Sequence, residues 1–288
     1  MSKTGLVLEG GAMRGLFSAG IMDVLLEHDI RFDGIIGVSA GAAFGCNYKS
    51  RQIGRVVRYN KRFCRDKRYC SWHSWLTTGD LFGADFCYRQ LPEHLDPFDV
   101  ETFNADPSEF YCVCTDIHTG NAHYQLCSQA DDECLDWMRA SASMPLVSRI
   151  VKVGNGEYLD GAIADSIPVR FFEANGFGKN VIILTQPAGF HKKRSKAMPL
   201  LKLIFKKYPS LVAALEKRHI VYNETLRYIE DQAARGSAFI LRPRSPLPVG
   251  RLCHDPELLQ QTYDLGRAEA EKNLSALLDF LKPSEADR

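Results

Sequence analysis

Read as a string of apolar and polar positions, the start of the chain alternates between two textures. Thr4 to Leu8 is a short apolar run of the kind a buried strand makes, and glycines follow at once. From Leu16 to Leu26 the apolar residues Leu16, Ala19, Ile21, Val24 and Leu25 recur at helical spacing, so a helix follows the glycines. Phe32 to Val38 makes a second buried strand, and Ser39-Ala40-Gly41-Ala42-Ala43 opens a second helix of small residues. Strand, helix, strand, helix over so short a stretch implies a parallel sheet with right-handed crossovers.

The segment from Arg51 to Asp106 is less regular and rich in Arg, Lys, Tyr and Trp. Beyond it, Phe110 to Thr115 reads as a strand with His123 to Leu126 pairing nearby. Asp131 to Ser141 reads as a helix closed off by Pro145. Val151 to Leu159 predicts a hairpin turning at Gly154-Asn155-Gly156, and Val181 to Leu184 a further buried strand. After about residue 187 the texture becomes helical, at Leu200 to Leu215, His219 to Arg235 and Pro256 to Leu281, with one strand at Ala238 to Leu241.

Composition narrows this picture. The 288 residues are 45% hydrophobic and 25% charged, an ordinary globular balance. A net charge of +1 gives no global electrostatic case for nucleic acid. No apolar run reaches the roughly 18 residues of a membrane-spanning helix, and the first run is too short for a signal peptide. The nine cysteines, an odd number, suit a reducing compartment better than a disulfide framework. The expectation is a cytoplasmic protein. Cys112 and Cys114 share one strand face, with no second cysteine pair or histidine pair to complete a zinc site, so neither metal nor cofactor is expected.

Three segments carry candidate chemistry. Gly37-Val38-Ser39-Ala40-Gly41 is a G-x-S-x-G between a strand and a helix, the context of a nucleophile elbow, with the helix N-terminus favouring negative charge beside Ser39. Gly10, Gly11, Ala12, Met13, Arg14 and Gly15 form a glycine-rich run whose N–H groups can hold a phosphate or an oxyanion. A dinucleotide fingerprint is disfavoured, because Ala12 replaces its middle glycine and Ser39 stands where the ribose-binding acid belongs; a phosphate-binding P-loop lacks its Gly-Lys-Ser/Thr. Asp160-Gly161 by itself marks no more than a turn.

In order along the chain, these three segments resemble the patatin-like phospholipase family, with its glycine-rich oxyanion loop, its G-x-S-x-G nucleophile and its D-G aspartate. Ser141-Ala142-Ser143-Met144-Pro145 looks like the family's small-residue element, and the likeness covers roughly Gly5 to Ala174. It implies a three-layer α/β/α fold with a mainly parallel sheet: a catalytic domain over residues 1–178, and a mainly helical region over 179–288 that completes or covers it. It also implies a Ser39–Asp160 dyad acting on lipid acyl esters, with Gly11 and Ala12 N–H groups holding the oxyanion. Ala12, in place of a loop glycine, is harmless at negative φ and weakens the hole if φ is positive.

Three other readings remain open at this level. One is a Ser-Asp-His triad with His191, which follows the strand ending at Leu184. Another is a weakly active or inactive protein of the same fold that binds anionic lipid. The third concerns surroundings: two basic stretches, Arg58 to Tyr69 followed by Trp72 and Trp75, and Lys192 to Lys207, suit transient contact with a membrane surface.

Overall fold

The structure is a computed structural model that describes residues 2–282. Its strands are β1 (Lys3–Leu8), β2 (Gly34–Val38), β3 (Glu109–Asp116), β4 (Ala122–Leu126), β5 (Val151–Val153), β6 (Gly156–Asp160), β7 (Phe177–Ile183) and β8 (Ala238–Leu241). They form one sheet in the order β5-β6-β3-β2-β1-β7-β8, with β4 paired to β3. The run β3-β2-β1-β7-β8 is parallel, and β4, β5 and β6 make an antiparallel edge.

Because side chains alternate along a strand, each central strand feeds two cores. Leu6, Leu8, Ile35, Phe110 and Cys112 point into one, where they meet helices α1 (Gly15–Glu27), α2 (Ala40–Lys49) and α3 (Arg55–Phe63). Val7, Ile36, Val38, Val113 and Ile182 point into the other. The remaining helices are α4 (Trp72–Thr78), α5 (Val100–Ala105), α6 (Asp132–Ser141), α7 (Val169–Ala174), α8 (Met198–Ile204), α9 (Pro209–Ala234) and α10 (Pro256–Leu281). Helices α6 and α10 join the first core, and α7 and α9 cover the second, giving three layers, α/β/α.

Three details depart from the sequence pattern. The segment from 51 to 106 is helical, holding α3, α4, a π-helix at Phe86–Leu95 and α5. Its basic residues mask a helical period in which Val56, Tyr59, Asn60 and Phe63 are buried. The helix expected to end at Leu215 breaks earlier, at residues 205–208. Pro209 then starts α9, where its missing N–H is no loss, and α9 runs through to Ala234. The boundary expected after residue 178 falls inside β7, and β8 extends the same sheet beyond it.

The basic stretches also look different in three dimensions. Tyr59, Phe63 and Tyr69 are core residues, Arg58 pairs with Asp96 and Arg68 with Asp66, while Arg62, Arg65 and Lys67 are exposed. In the second stretch Arg194 and Lys202 share Glu216, while Lys206 and Lys207 are exposed.

Candidate active site

Strand β3 brings the two motif residues together. Strand β2 lies along it in parallel and ends with Val38 opposite Val113. Strand β6 runs antiparallel along the next stretch, with Asp160 opposite Cys114. Strand β4 overlaps both registers, so it takes the opposite edge of β3 and leaves β2 and β6 on one edge, pointing at each other. Their C-terminal ends meet at Ser39 and Asp160, which are 7% and 3% exposed.

Ser39 adopts φ 57° and ψ −121°, a strained conformation for a residue with a side chain. The turn is forced by close approach of helix to strand: a Cβ on Gly41 would lie 2.4 Å from the Leu8 carbonyl oxygen, and one on Gly37 2.4 Å from Gly41. Gly161 is set by the same logic, since a Cβ there would lie 2.1 Å from the Val113 oxygen.

The small-residue segment clamps both residues. The Ser39 N–H donates to Ser141 Oγ at 2.9 Å, and Ser141 Oγ donates to the Val113 carbonyl at 2.6 Å. The Asp160 N–H donates to the Ser143 carbonyl at 2.8 Å. Asp160 Oδ1 accepts from the Ala162 N–H at 2.8 Å. Burial pushes the Asp160 carboxyl above the usual carboxylate range, against the opposing pull of Arg218, the Ala162 N–H, the Ser39 hydroxyl and Lys192.

Beside Ser39, residues Gly10 and Gly11 lead into a short 3-10 turn, Ala12–Arg14, and Gly15 opens α1. Among the described residues the Gly11 N–H has no hydrogen-bond partner, and the Met13 N–H donates to the Arg251 carbonyl at 3.4 Å. Ala12 sits at φ +49°, so its methyl group occupies the left-handed region that favours glycine.

Ser39 stands where two cavities meet. One, about 260 Å³, is apolar and runs among Phe44, Tyr59, Leu81, Leu91 and Met138. The other, about 420 Å³, is polar and holds Asp160, Glu9 and several cations. Glu9 escaped the sequence reading. It is buried at the end of β1 and accepts from the Thr185 N–H at 2.6 Å and the Tyr222 hydroxyl at 2.7 Å. The only hint in the sequence is an acid closing an apolar strand. Arg218, whose Nε donates to the Ala162 carbonyl at 2.6 Å, and His219 also line this cavity and were also missed. His191 is exposed, with Nδ1 facing Asn223 Nδ2 at 3.4 Å, and lies outside the cavity that holds Asp160. Among the described residues no cluster of three His, Cys, Asp or Glu side chains is placed to hold a metal ion.

A three-layer α/β/α fold that carries a strained serine on a strand-to-helix turn has the layout of a nucleophile elbow, the fold class in which serine hydrolases are found. The model of the patatin-like phospholipases matches residues 6–172, and the chain belongs to that family. A second model, a domain of unknown function, matches residues 208–282, from α9 to α10. The chain is 27% identical over 284 residues to an uncharacterized Escherichia coli protein, YjjU, covering 91% of this chain and 74% of that one. It is 30% identical over 179 residues to lysophospholipase NTE1 of Eremothecium gossypii and 29% identical over 179 residues to that of Candida glabrata. These matches span 60% of this chain but only 11% and 10% of the two fungal proteins. Among solved structures, VipD from Legionella pneumophila aligns over 96% of this chain and 67% of its own, with TM-score 0.48 and 11% identity.

Proposed function

We propose that this protein is a serine-dependent lipid acyl hydrolase, with Ser39 as nucleophile and Asp160 as its base. The observation that carries the reading is the position of Ser39, on a strained turn beside a buried aspartate and at the junction of an apolar and a polar cavity. In this reading the acyl chain enters the apolar cavity and the ester carbonyl faces the loop from Gly10 to Gly15. Ser39 Oγ attacks the carbonyl carbon as its proton passes to Asp160, and the Gly11 and Ala12 N–H groups hold the oxyanion. The proton then passes to the leaving alkoxide, and water deprotonated by Asp160 releases the fatty acid. The lysophospholipase relatives support lipid esters as substrates. Residues 179–282 complete the catalytic unit through β8 and through the Tyr222 contact to Glu9. All nine cysteines are free thiols, which supports a reducing, cytoplasmic setting.

Hydrolysis of a chromogenic acyl ester series tests this, together with labelling by a fluorophosphonate. Ser39→Ala is expected to lose both turnover and labelling. Asp160→Asn is expected to lose turnover by about a thousandfold or more, as loss of a catalytic base does. Because burial raises the Asp160 pKa and the base must be ionised, turnover in the parent falls as pH drops through that raised value. A folded parent that neither labels nor turns over any ester overturns the proposal and favours an anionic-lipid-binding protein of the same fold.

A further inference from the structure

The polar cavity is lined by five cations, Arg14, Lys192, Lys193, Arg218 and Arg251, against two carboxylates, Glu9 and Asp160. Among the described residues, none of the five lies within 4.0 Å of a carboxylate, whereas cations elsewhere, such as Arg194, Lys202 and Arg267, are paired. Glu9 is already engaged by Thr185 and Tyr222. Arg14 Nε and His219 Nδ1 are buried without any hydrogen-bond partner. Unpaired charges crowded beside one another are costly unless something anionic joins them.

The cluster is built rather than loose. The Lys192 N–H donates to Asn223 Oδ1 at 2.8 Å, and Asn223 Nδ2 donates back to the Lys192 carbonyl at 2.9 Å. Its ammonium lies over the Tyr222 ring, 3.8 Å from the centroid. Burial, with Arg218, Arg251 and Arg14 nearby, pushes this ammonium down to about 7, against the pull of Glu9. A bound anion removes that penalty.

We infer that this cavity is the subsite for a phosphate group in the substrate's headgroup, so that the enzyme prefers acyl esters of an anionic phosphate to zwitterionic or uncharged ones. The inference rests on the proposed hydrolase reading. With the acyl chain in the apolar cavity and the ester at Ser39, the alcohol part of the lipid extends into the polar cavity. There a phosphomonoester dianion meets Lys192, Arg251 and Arg14, the last two being side chains with planar forks suited to phosphate oxygens. A choline headgroup would add a cation to a surplus of cations.

The test compares kcat/KM for three substrates with the same acyl chain: a lysophosphatidic acid, a lysophosphatidylcholine and an uncharged p-nitrophenyl ester. The lysophosphatidic acid is expected to exceed the choline ester by at least about tenfold, and Lys192→Gln and Arg251→Gln each to lower that ratio by about tenfold. Glycerol 3-phosphate should raise KM for the lysophosphatidic acid and leave kcat unchanged. A parent that hydrolyses the uncharged ester with a ratio near one overturns this inference while leaving the hydrolase reading intact. A parent inert on all three fails at the earlier step. Inorganic phosphate that alters kcat on the uncharged ester, with no preference among lipids, assigns the cations to free phosphate and also overturns the headgroup assignment.

Discussion

Ala12 shows how one methyl group is accommodated at a site that favours glycine. At φ +49° its Cβ crowds the neighbouring carbonyl, a strain of roughly 1–2 kcal/mol for a residue with a side chain. The loop holds it because Met13 is tied to Arg251 and Arg14 to Gly11. Ala12→Gly is therefore expected to stabilise the fold by about 1 kcal/mol, less whatever entropy the added glycine returns to the unfolded chain. Equilibrium denaturation at constant slope measures this; an unchanged or lower midpoint removes the strain argument. At this scale the placement of Ser39 and the glycine loop was legible, because each is a local turn whose demands are written in adjacent residues. Glu9, Tyr222 and Arg218 were not, since their meeting at the site depends on α9 returning to the end of β1 from far along the chain.

Among elements, α1 and α10 pack with their backbones almost touching. A Cβ on Gly20 would lie 2.1 Å from the Tyr263 oxygen, and one on Gly266 2.0 Å from the Phe17 oxygen. Neither atom is the flexible end of a side chain, so the helices themselves must part to admit a methyl group. Gly266→Ala should cost about 2 kcal/mol or more through overpacking, despite the better helix propensity of alanine. A thermal melt no lower than the parent's sinks this expectation. Both helices were legible from their apolar period, but their crossing was not, because a glycine inside a helical pattern looks only like a weak point. The helices between residues 51 and 106 were harder to see. Pro92 inside the π-helix and the arginines of α3 disguise the period, although Arg55 and Arg58 are bound to Asp96.

For the whole molecule, the proposed lipid substrate raises the question of how this fold would reach a bilayer. No described helix is long and apolar enough to cross a membrane. Helix α8 buries Met198 and Leu201 and leaves Leu203 66% exposed, with Leu200 and Ile204 exposed beside it and Lys206 and Lys207 just beyond. It follows directly on Lys193 and Ser195, which line the polar cavity. This apolar ridge with flanking lysines suits contact with an anionic lipid surface, where each lysine contributes about 1 kcal/mol. Liposome sedimentation should show a preference for anionic over neutral vesicles, and Leu203→Asp should weaken binding by about tenfold or more. Equal sedimentation with both vesicle types counts against it. The three layers of the fold were legible from the alternation of strands and helices, but this ridge was not, because α8 is apolar on both sides and its period does not say which side faces inward.

The meeting of β2 and β6 on one edge of β3 has a consequence for folding as well as for chemistry. Nucleophile and base are carried by strand ends that approach from opposite directions, so a slip of β6 by one residue turns Asp160 to the far face of the sheet. The Ser39 turn needs β1, β2 and α2, and the dyad is complete only when β6 has also docked on β3. The rate at which Ser39 gains reactivity toward a covalent probe during refolding is therefore a clock for the joint docking of β2 and β6 on β3, read from inside the molecule.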